Sequence, residues 1–378
     1  MRTERTESGI YFRRGESGSA AYSPYTGSCF AIDPRCDSVV KEWLESCDGE
    51  VPYEIKAALG EGWAPTSRRK GRSNGHILPD DNWGFMNSFD GPLVINWLLT
   101  GRCSYECPYC YAQDLMNGHC KEPKASDVER IAKNILSFDP LAVVLTGGDP
   151  LLSPHLQYAI ELLHRRAGVI VDTSGCQLSD EHIESFRNHR VFVRISLDSE
   201  LSKDSCLLRP MKHGRGEDTG DIALQAISEC LSCKVDLGVQ TVVTGKNYCD
   251  FESLRDKLQR LGVCNWRIMR LADTKETHAV FQKLKLSIVQ DRRFIKIIYP
   301  KLKSPSDVCK EGVMSVQLVE NDVANAVILV SPDGVFYTES AGGSGKPIID
   351  PSNKTKPRKS TLVTTVDMHA HARRYLHE

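Results

Sequence analysis

A regular alternation of apolar runs and amphipathic segments occupies 92–271 and constrains the fold more than any other feature of the chain. Six runs are apolar and rich in β-branched residues: PLVINWLLT, LAVVLT, GVIVDTS, VFVRISLD, VDLGVQTVV and NWRIMRL. Strands of this kind separated by helices predict a parallel sheet with right-handed crossovers, covered by helices on its outer face. Six units are fewer than the eight of a closed barrel, so we expect the α/β class and an open, partial (β/α)6 TIM-like barrel.

Helix boundaries between these runs follow from capping signals. Ser126 and Glu129 form a capping-box pattern that predicts one helix start. Ser153 and Pro154 suit the start of the next helix, and Gly168 suits its end. Further helices are expected from about Ser179, Thr219 and Cys249. In such a sheet the active site lies at the carboxyl ends of the strands.

The flanking segments differ from this central pattern. Three short strand-like stretches, IYFRR, SAAYSPY and SCFAID, precede two helical patterns, which together outline a small winged-helix-like module, and 61–90 has the composition of a linker. Near the other end VILVSPDGVFYT predicts a hairpin, and AGGSGKPIIDPSNKTKPRKS predicts a loop. We therefore divide the chain into an N-terminal module with linker at 1–80, a partial barrel at 91–275 and a small α+β extension at 276–378.

Charge and hydropathy exclude several classes of protein. Lys and Arg total 48 and Asp and Glu total 49, so the chain lacks the overall basicity of a protein that grips nucleic acid. The basic run RRKGR fits a solvated linker. No apolar run reaches the 18 or so residues of a membrane span, and the first residues are charged where a secretory signal would be apolar. We expect a cytoplasmic protein without a membrane or nucleic-acid partner.

A cysteine motif follows the first predicted strand. Cys103, Cys107 and Cys110 form C-x3-C-x2-C, and in a cytoplasmic chain clustered cysteines indicate metal binding or catalysis. A structural zinc site would need a fourth ligand, for which His119 and Cys120 are available. Three cysteines can instead hold a [4Fe–4S] cluster that leaves one iron open to a ligand.

The strand, the cysteine spacing and the sequence CPYCYA resemble the radical S-adenosylmethionine (SAM) superfamily over roughly 90–275. The resemblance implies one [4Fe–4S] cluster on the three cysteines and SAM as the second cofactor. It also implies that GGDP, a counterpart of the family's GGE-type motif, holds the methionine amino group, with Asp149 in place of the usual Glu. Hydroxyls and carboxylates after strands three and four would contact the SAM carboxylate or ribose, and two apolar positions would pack on adenine. The implied SAM contacts are Tyr109, Gly147, Gly148, Asp149, Pro150, Thr173, Ser174, Ser196, Asp198 and Leu271.

Two flanking features resemble parts of peptide-modifying members of that superfamily. The N-terminal pattern is similar to a recognition element that binds a leader peptide at the edge of a three-stranded sheet. The SPDGVFYT hairpin resembles the start of a cysteine-rich SPASM extension, but Thr338 stands where a ligand cysteine is expected. The resemblance therefore implies a degenerate extension without a second cluster.

The resemblance implies reductive cleavage of SAM to methionine and a 5'-deoxyadenosyl radical, which abstracts hydrogen from the substrate. Our first hypothesis is a maturase of a ribosomally made precursor peptide, with an external electron donor such as flavodoxin or ferredoxin. The alternatives are a radical SAM enzyme acting on a small molecule such as a sugar or nucleoside, and a zinc-binding module without catalysis. No catalytic hydrogen donor is assigned.

Overall fold

Two β-sheets organise the chain in the computed structural model, which describes residues 3–5, 9–14, 19–32, 91–113, 122–212, 218–303, 314–320, 325–340, 343–348 and 357–376. The smaller sheet is antiparallel and contains β1 (Glu4–Arg5), β2 (Tyr11–Arg14), β3 (Ser19–Ser23) and β4 (Ser28–Ile32). The last three of these strands confirm the three predicted strand-like stretches. The two helical patterns and the linker predicted after them lie outside the described residues.

The larger sheet has a parallel centre that matches the six predicted strands. These are β5 (Val94–Thr100), β6 (Ala142–Gly147), β7 (Gly168–Thr173), β8 (Phe192–Ser196), β9 (Leu237–Val243) and β10 (Asn265–Arg270). Each strand pairs in parallel with the next one along the chain. The predicted partial barrel is therefore confirmed.

Helices follow the strands, and most of them cover the outer face. They are α1 (Ala125–Leu136), α2 (Leu156–Leu163), α3 (Asp180–His189), α4 (Ser202–Leu208), α5 (Thr219–Ser232), α6 (Phe251–Leu261), α7 (His278–Leu284), α8 (Ile288–Arg293), α9 (Tyr299–Lys303), α10 (Lys359–Thr365) and α11 (Met368–Tyr375). A π-helical turn, Phe294–Ile298, joins α8 to α9. Within the described residues no helix combines the length and apolar character needed to cross a bilayer.

Several predicted boundaries were wrong, and each has a local reason. Lys124, not Ser126, precedes the first helix, because the Asp127 carboxylate accepts the Lys124 backbone N–H at 3.3 Å. Pro150–Leu152 forms a separate short 3-10 turn, so α2 starts after His155 rather than at Ser153. Gly168 does not end a helix, because it is the first residue of β7.

The C-terminal segment extends the large sheet on both sides. β11 (Ser315–Val319) pairs in parallel with β10, and β12 (Val327–Val330) pairs in parallel with β5. The predicted hairpin is confirmed, because β12 pairs antiparallel with β13 (Phe336–Ser340). The predicted loop beyond it is wrong in part, since it contains a further strand, β14 (Gly343–Pro347), hydrogen-bonded to β13. The sheet therefore runs from β11 to β14 as an open, unclosed barrel.

The small sheet and α11 pack against the amino ends of the barrel strands, and we call this layer the floor. Tyr11 and Tyr22 are 2% and 0% exposed and share a buried cluster with Val94, Ala142 and Phe192. The contact is close, because a Cβ on Gly168 would lie 2.1 Å from the Tyr22 ring. The opposite, carboxyl ends of the strands remain for the candidate site.

Hydrogen bonds also fix the floor to the barrel. Arg13 donates to the carbonyls of Pro92 and Asp139 at 2.7 and 2.8 Å. From the C-terminal side, His371 Nε2 accepts the Leu93 backbone N–H at 3.0 Å, and its Nδ1 donates to the Ala326 carbonyl at 2.8 Å. Both ends of the described chain therefore hold the same end of the first barrel strand.

Candidate active site

The three motif cysteines lie on the loop that leaves the carboxyl end of β5. All three thiols are partly buried. The Cys110 backbone N–H donates to the Cys107 carbonyl at 3.1 Å, and the Tyr105 N–H lies 3.4 Å from Cys103 Sγ. The loop is therefore held by its own turn, at the edge of the sheet where the sequence places the site.

Burial dominates the acidity of these thiols. It raises the pKa of Cys103 and of Cys107 to about 11, and it raises the pKa of Cys110 as well. Arg209 acts in the opposite direction on all three thiols, because its positive charge favours a thiolate. The three cysteines also raise one another's pKa values in pairs, because the negative charge of one thiolate disfavours the charge of the next.

The two glycines of GGDP let two loops come together. A Cβ on Gly147, whose φ is +134°, would lie 2.3 Å from the Thr100 carbonyl oxygen. A Cβ on Gly148 would lie 2.1 Å from the Arg102 carbonyl oxygen. The Gly148 and Asp149 N–H groups donate to those same two carbonyls, each at 2.7 Å. The glycines therefore allow close contact with the start of the cysteine loop.

Asp149 is 1% exposed, and four donors from the protein surround its carboxylate. Thr173 Oγ1 donates to it at 2.7 Å, and the backbone N–H groups of Ser174 and Leu151 donate at 3.1 and 3.2 Å. The Ser174 hydroxyl also donates to it. The structure thus brings together the GGDP motif and the predicted hydroxyls after β7, but it joins them to each other. Pro150 is buried beside them as the first residue of the 3-10 turn.

A second cluster joins the predicted contacts from opposite sides of the site. Tyr109 and Leu271 are both nearly buried and belong to one apolar cluster with Leu208 and Leu284. The Tyr109 hydroxyl donates to the carboxylate of Asp198, which also accepts the Val242 N–H at 2.7 Å. Burial, reinforced by the Asp198 charge, raises the pKa of Tyr109. The predicted adenine contacts therefore lie together, with a carboxylate beside them.

Ser196 ends β8 and remains partly exposed. Ser196 pairs in register with Gln240 of the neighbouring β9. The Ser196 hydroxyl is therefore partly accessible to a ligand. The Asp198 carboxylate, by contrast, is hydrogen-bonded to Tyr109 and Val242.

Arg209 is a site residue that the sequence reasoning missed. It follows α4, with 15% of its side chain exposed, and its Nη1 lies 3.7 Å from Asp198 Oδ2. Its guanidinium also lies over the Tyr105 ring, 5.7 Å from the centroid. A mostly buried cation between a carboxylate and three thiols stabilises negative charge and can bind an anion such as a carboxylate.

The backbone beside Arg209 explains why that arginine reaches the cysteines. The Glu106 N–H donates to the Pro210 carbonyl, and the Lys212 N–H donates to the Ser104 carbonyl, each at 2.8 Å. Tyr105 and Met211 form an isolated antiparallel bridge between these segments. A lone arginine after a short helix belongs to no recognisable sequence motif. Its place at the site depends on this pairing between segments about a hundred residues apart.

The donor set at the cysteine loop fits the cluster that the sequence implies. Three thiols on one loop, a nearby buried cation and a hydroxyl-bearing edge suit a [4Fe–4S] cluster with three cysteine ligands and one iron open to SAM. In the described part of the chain no three His, Cys, Asp or Glu side chains converge tightly enough to hold an ion unaided. Bound together, the cluster and SAM supply hydrogen-atom abstraction, and the protein positions them and excludes water.

Comparison with known proteins agrees with this arrangement. Residues 97–258 match the family described as the Radical SAM superfamily. The S-adenosylmethionine-dependent nucleotide dehydratase of Fibrobacter sp. (strain UWH6) is 25% identical over 272 residues, which cover 65% of this chain and 77% of that protein.

Two solved structures share the fold at low sequence identity. SuiB of Streptococcus suis, bound to precursor peptide SuiA, gives a TM-score of 0.58 at 13% identity, covering 89% of this chain and 82% of that one. The anSMEcpe enzyme with bound AdoMet gives 0.54 at 15% identity, covering 65% and 74%. The family match spans the cysteine loop, GGDP and the strands that carry them. Residues 97–258 thus match the radical SAM superfamily, and the comparisons support an enzyme of this class that uses SAM and an iron–sulfur cluster.

Proposed function

We propose that this enzyme abstracts hydrogen from a ribosomally made precursor peptide. The observation that carries the proposal is the open barrel, whose outermost strands β11 and β14 do not pair with each other. A peptide can enter such an opening in extended form, whereas a closed barrel admits ligands only at its mouth. The shared fold with SuiB, solved with its precursor peptide, supports this choice.

We further propose that 1–80 recognises a leader segment of that peptide, that 91–275 carries the chemistry, and that 276–378 is a SPASM-like extension without a second cluster. The N-terminal sheet supports the first assignment, since an antiparallel sheet can accept an added strand at its edge. Its strands pack against the amino ends of the barrel strands, so a captured leader would be held at a fixed distance from the site. Thr338, at the position of the expected cysteine, is 1% exposed within β13 and supports the third assignment.

Under this proposal, the residues at the site have different roles. The motif cysteines hold the cluster, and Tyr109 and Leu271 pack on the adenine of SAM. Arg209, rather than a residue predicted from the sequence, supplies positive charge for the SAM carboxylate. Asp149 holds Thr173 and Ser174 in position. An external electron donor such as flavodoxin or ferredoxin reduces the cluster.

The experiment is a substrate screen with the anaerobically reconstituted full chain. Short peptides encoded beside the gene are supplied with SAM and a reductant, and both 5'-deoxyadenosine and the peptide mass are measured. We expect one peptide to raise 5'-deoxyadenosine formation and to change in mass, and its isolated leader to inhibit competitively. A truncation lacking 1–80 is unsuitable, because it would remove the small sheet and expose the apolar amino ends of the barrel strands.

A nucleotide is the second candidate substrate. The nucleotide dehydratase of Fibrobacter aligns over most of its own length, which favours this candidate over other small molecules. The same screen therefore includes nucleoside triphosphates. If they are consumed with 5'-deoxyadenosine formation while every peptide is inert, the peptide proposal is wrong.

A further inference from the structure

Arg267 of β10 faces the interior of the open barrel. Its neighbours in sequence, Trp266 and Ile268, are both 0% exposed and pack in the outer core beneath the helices. Because side chains alternate along a strand, Arg267 must point to the opposite face. On that face it stands in register between Gln240 of β9 and Gln317 of β11.

Within the described part of the chain, the guanidinium of Arg267 is less satisfied than those of Arg194 and Arg270. Its Nε is buried without a hydrogen-bond partner, and no described residue forms an ion pair with it. Arg194, which also faces the interior, is held by Asp172 at 2.6 Å. Arg270, on the outer face of the same strand, pairs with Asp291 and Glu320 at 2.5 and 3.1 Å. An unsatisfied buried donor destabilises the native state, so its partner is expected to come from a ligand.

The position of Arg267 relative to the candidate site is fixed by the strand register. The next interior residues toward the carboxyl ends are Met269 and Val242, which are paired with each other. Val242 packs on the cluster that contains Tyr109 and Leu271. Arg267 therefore lies one interior layer below the proposed adenine contacts.

The surroundings of Arg267 leave its charge uncompensated. Gln317 is neutral, and Gln240 is neutral and engaged with Asp172 through a hydrogen bond. The carboxylate of Asp172 is itself neutralised by Arg194. Among the described residues considered on this wall, the charge left without an ion-pair partner is therefore that of Arg267.

We propose that Arg267 is a specificity-determining residue that binds an anionic group of the substrate, a carboxylate or a phosphate, and holds it beneath the SAM site. The planar fork of a guanidinium matches both groups in bidentate geometry. The inference rests on the proposed function only in that the substrate must enter the barrel interior. An acidic peptide residue supplies the carboxylate, and a nucleotide supplies the phosphate.

A stability measurement separates a ligand-binding arginine from a structural one. Arg267→Met and Arg194→Met are compared with the wild-type chain by thermal unfolding without substrate. We expect Arg267→Met to unfold at the wild-type temperature or above it, because no protein partner is lost. Arg194→Met should unfold lower, because it leaves Asp172 buried and unpaired. Equal losses in both variants would overturn the proposal.

Kinetics identify the group that Arg267 binds. The reconstituted wild-type, Arg267→Gln and Arg267→Lys enzymes are assayed with the substrate accepted in the screen and with its neutral counterpart, an Asp/Glu→Asn/Gln peptide or a nucleoside. For the charged substrate we expect KM to rise about 10- to 150-fold in Arg267→Gln, the range of a charged hydrogen bond, with a smaller rise in Arg267→Lys. The neutral counterpart should show no such difference between the enzymes. Arg270→Gln, on the opposite face, is the matched control and should retain the wild-type KM.

The outcomes distinguish this inference from the proposed function. If nucleotides are accepted and peptides are not, the peptide proposal fails, while the Arg267 test proceeds with the phosphate. If the accepted substrate is neutral, or if Arg267→Gln leaves KM for an anionic substrate unchanged, the inference is overturned whichever substrate class is correct.

Discussion

Replacing Asp149 by alanine should destabilise the protein even before SAM or the cluster is added. The carboxylate accepts four hydrogen bonds, two of them from Thr173 and Ser174 hydroxyls that are themselves 3% and 5% exposed. Each buried donor left unpaired costs about 1–3 kcal/mol, and removing the buried charge offsets part of the sum, so we expect a net loss of about 3–5 kcal/mol. For a domain of this size such a loss lowers the unfolding temperature by about 10 °C.

The assay is thermal unfolding of the cluster-free chain, followed by SAM binding to the reconstituted enzyme. Thr173→Val removes a single donor and serves as the graded control, with an expected loss of about 1 kcal/mol. If Asp149→Ala unfolds within about 2 °C of the wild type and loses only SAM affinity, the four hydrogen bonds contribute little. Asp149 would then act directly on SAM, as the family resemblance implies.

Three further predictions test the cluster, the floor and the pH dependence. Changing all three cysteines of C-x3-C-x2-C to alanine should lower bound iron from about four per chain to near zero; a reproducible eight irons in the wild type would reveal a second cluster. Gly168→Ala places a methyl group against the Tyr22 ring and should lower the free energy of unfolding by about 1–3 kcal/mol. Gly91→Ala is the control and should leave the stability unchanged, because the nearest atoms lie 3.4 Å from the added methyl. Equal unfolding temperatures for the two variants would contradict the floor packing. Burial lowers the pKa of His371 to about 4. Because the unfolded chain binds that proton from about pH 6.5 downward, stability should fall by up to about 3 kcal/mol between pH 6.5 and 4, and His371→Gln should flatten this slope in urea titrations.

Local sequence patterns predicted the central sheet and the cysteine loop. Strands β5 to β8 are nearly continuous apolar runs because they are buried on both faces, whereas β10 alternates buried and partly exposed residues. Ser179 was correctly placed before its helix, since its hydroxyl accepts the His182 N–H at 3.3 Å. The signals for Ser126 and Gly168 were local too, but competing contacts decided those two boundaries.

Contacts between distant segments could not be predicted in the same way. Arg209 reaches the cysteines through the pairing of its own segment with the loop, and nothing in its neighbourhood in sequence signals that pairing. The positions of β11 and β12 beside β10 and β5 likewise depend on which edges of the sheet remain free. The glycines of GGDP were recognised as a motif, yet the carbonyls that require them belong to the end of β5 and the start of the cysteine loop.

The floor ties together parts of the chain that are synthesised far apart in time. His371 bonds to Leu93 across 278 positions, and Leu329 of β12 pairs with Asn96 of β5. Contacts of such long sequence separation form slowly, because a large loop must close before they contribute. The first barrel strand, which carries the cysteine loop, is thus completed on one side only after the C-terminal helix has left the ribosome. Cluster insertion should accordingly be a late event that follows the synthesis of α11.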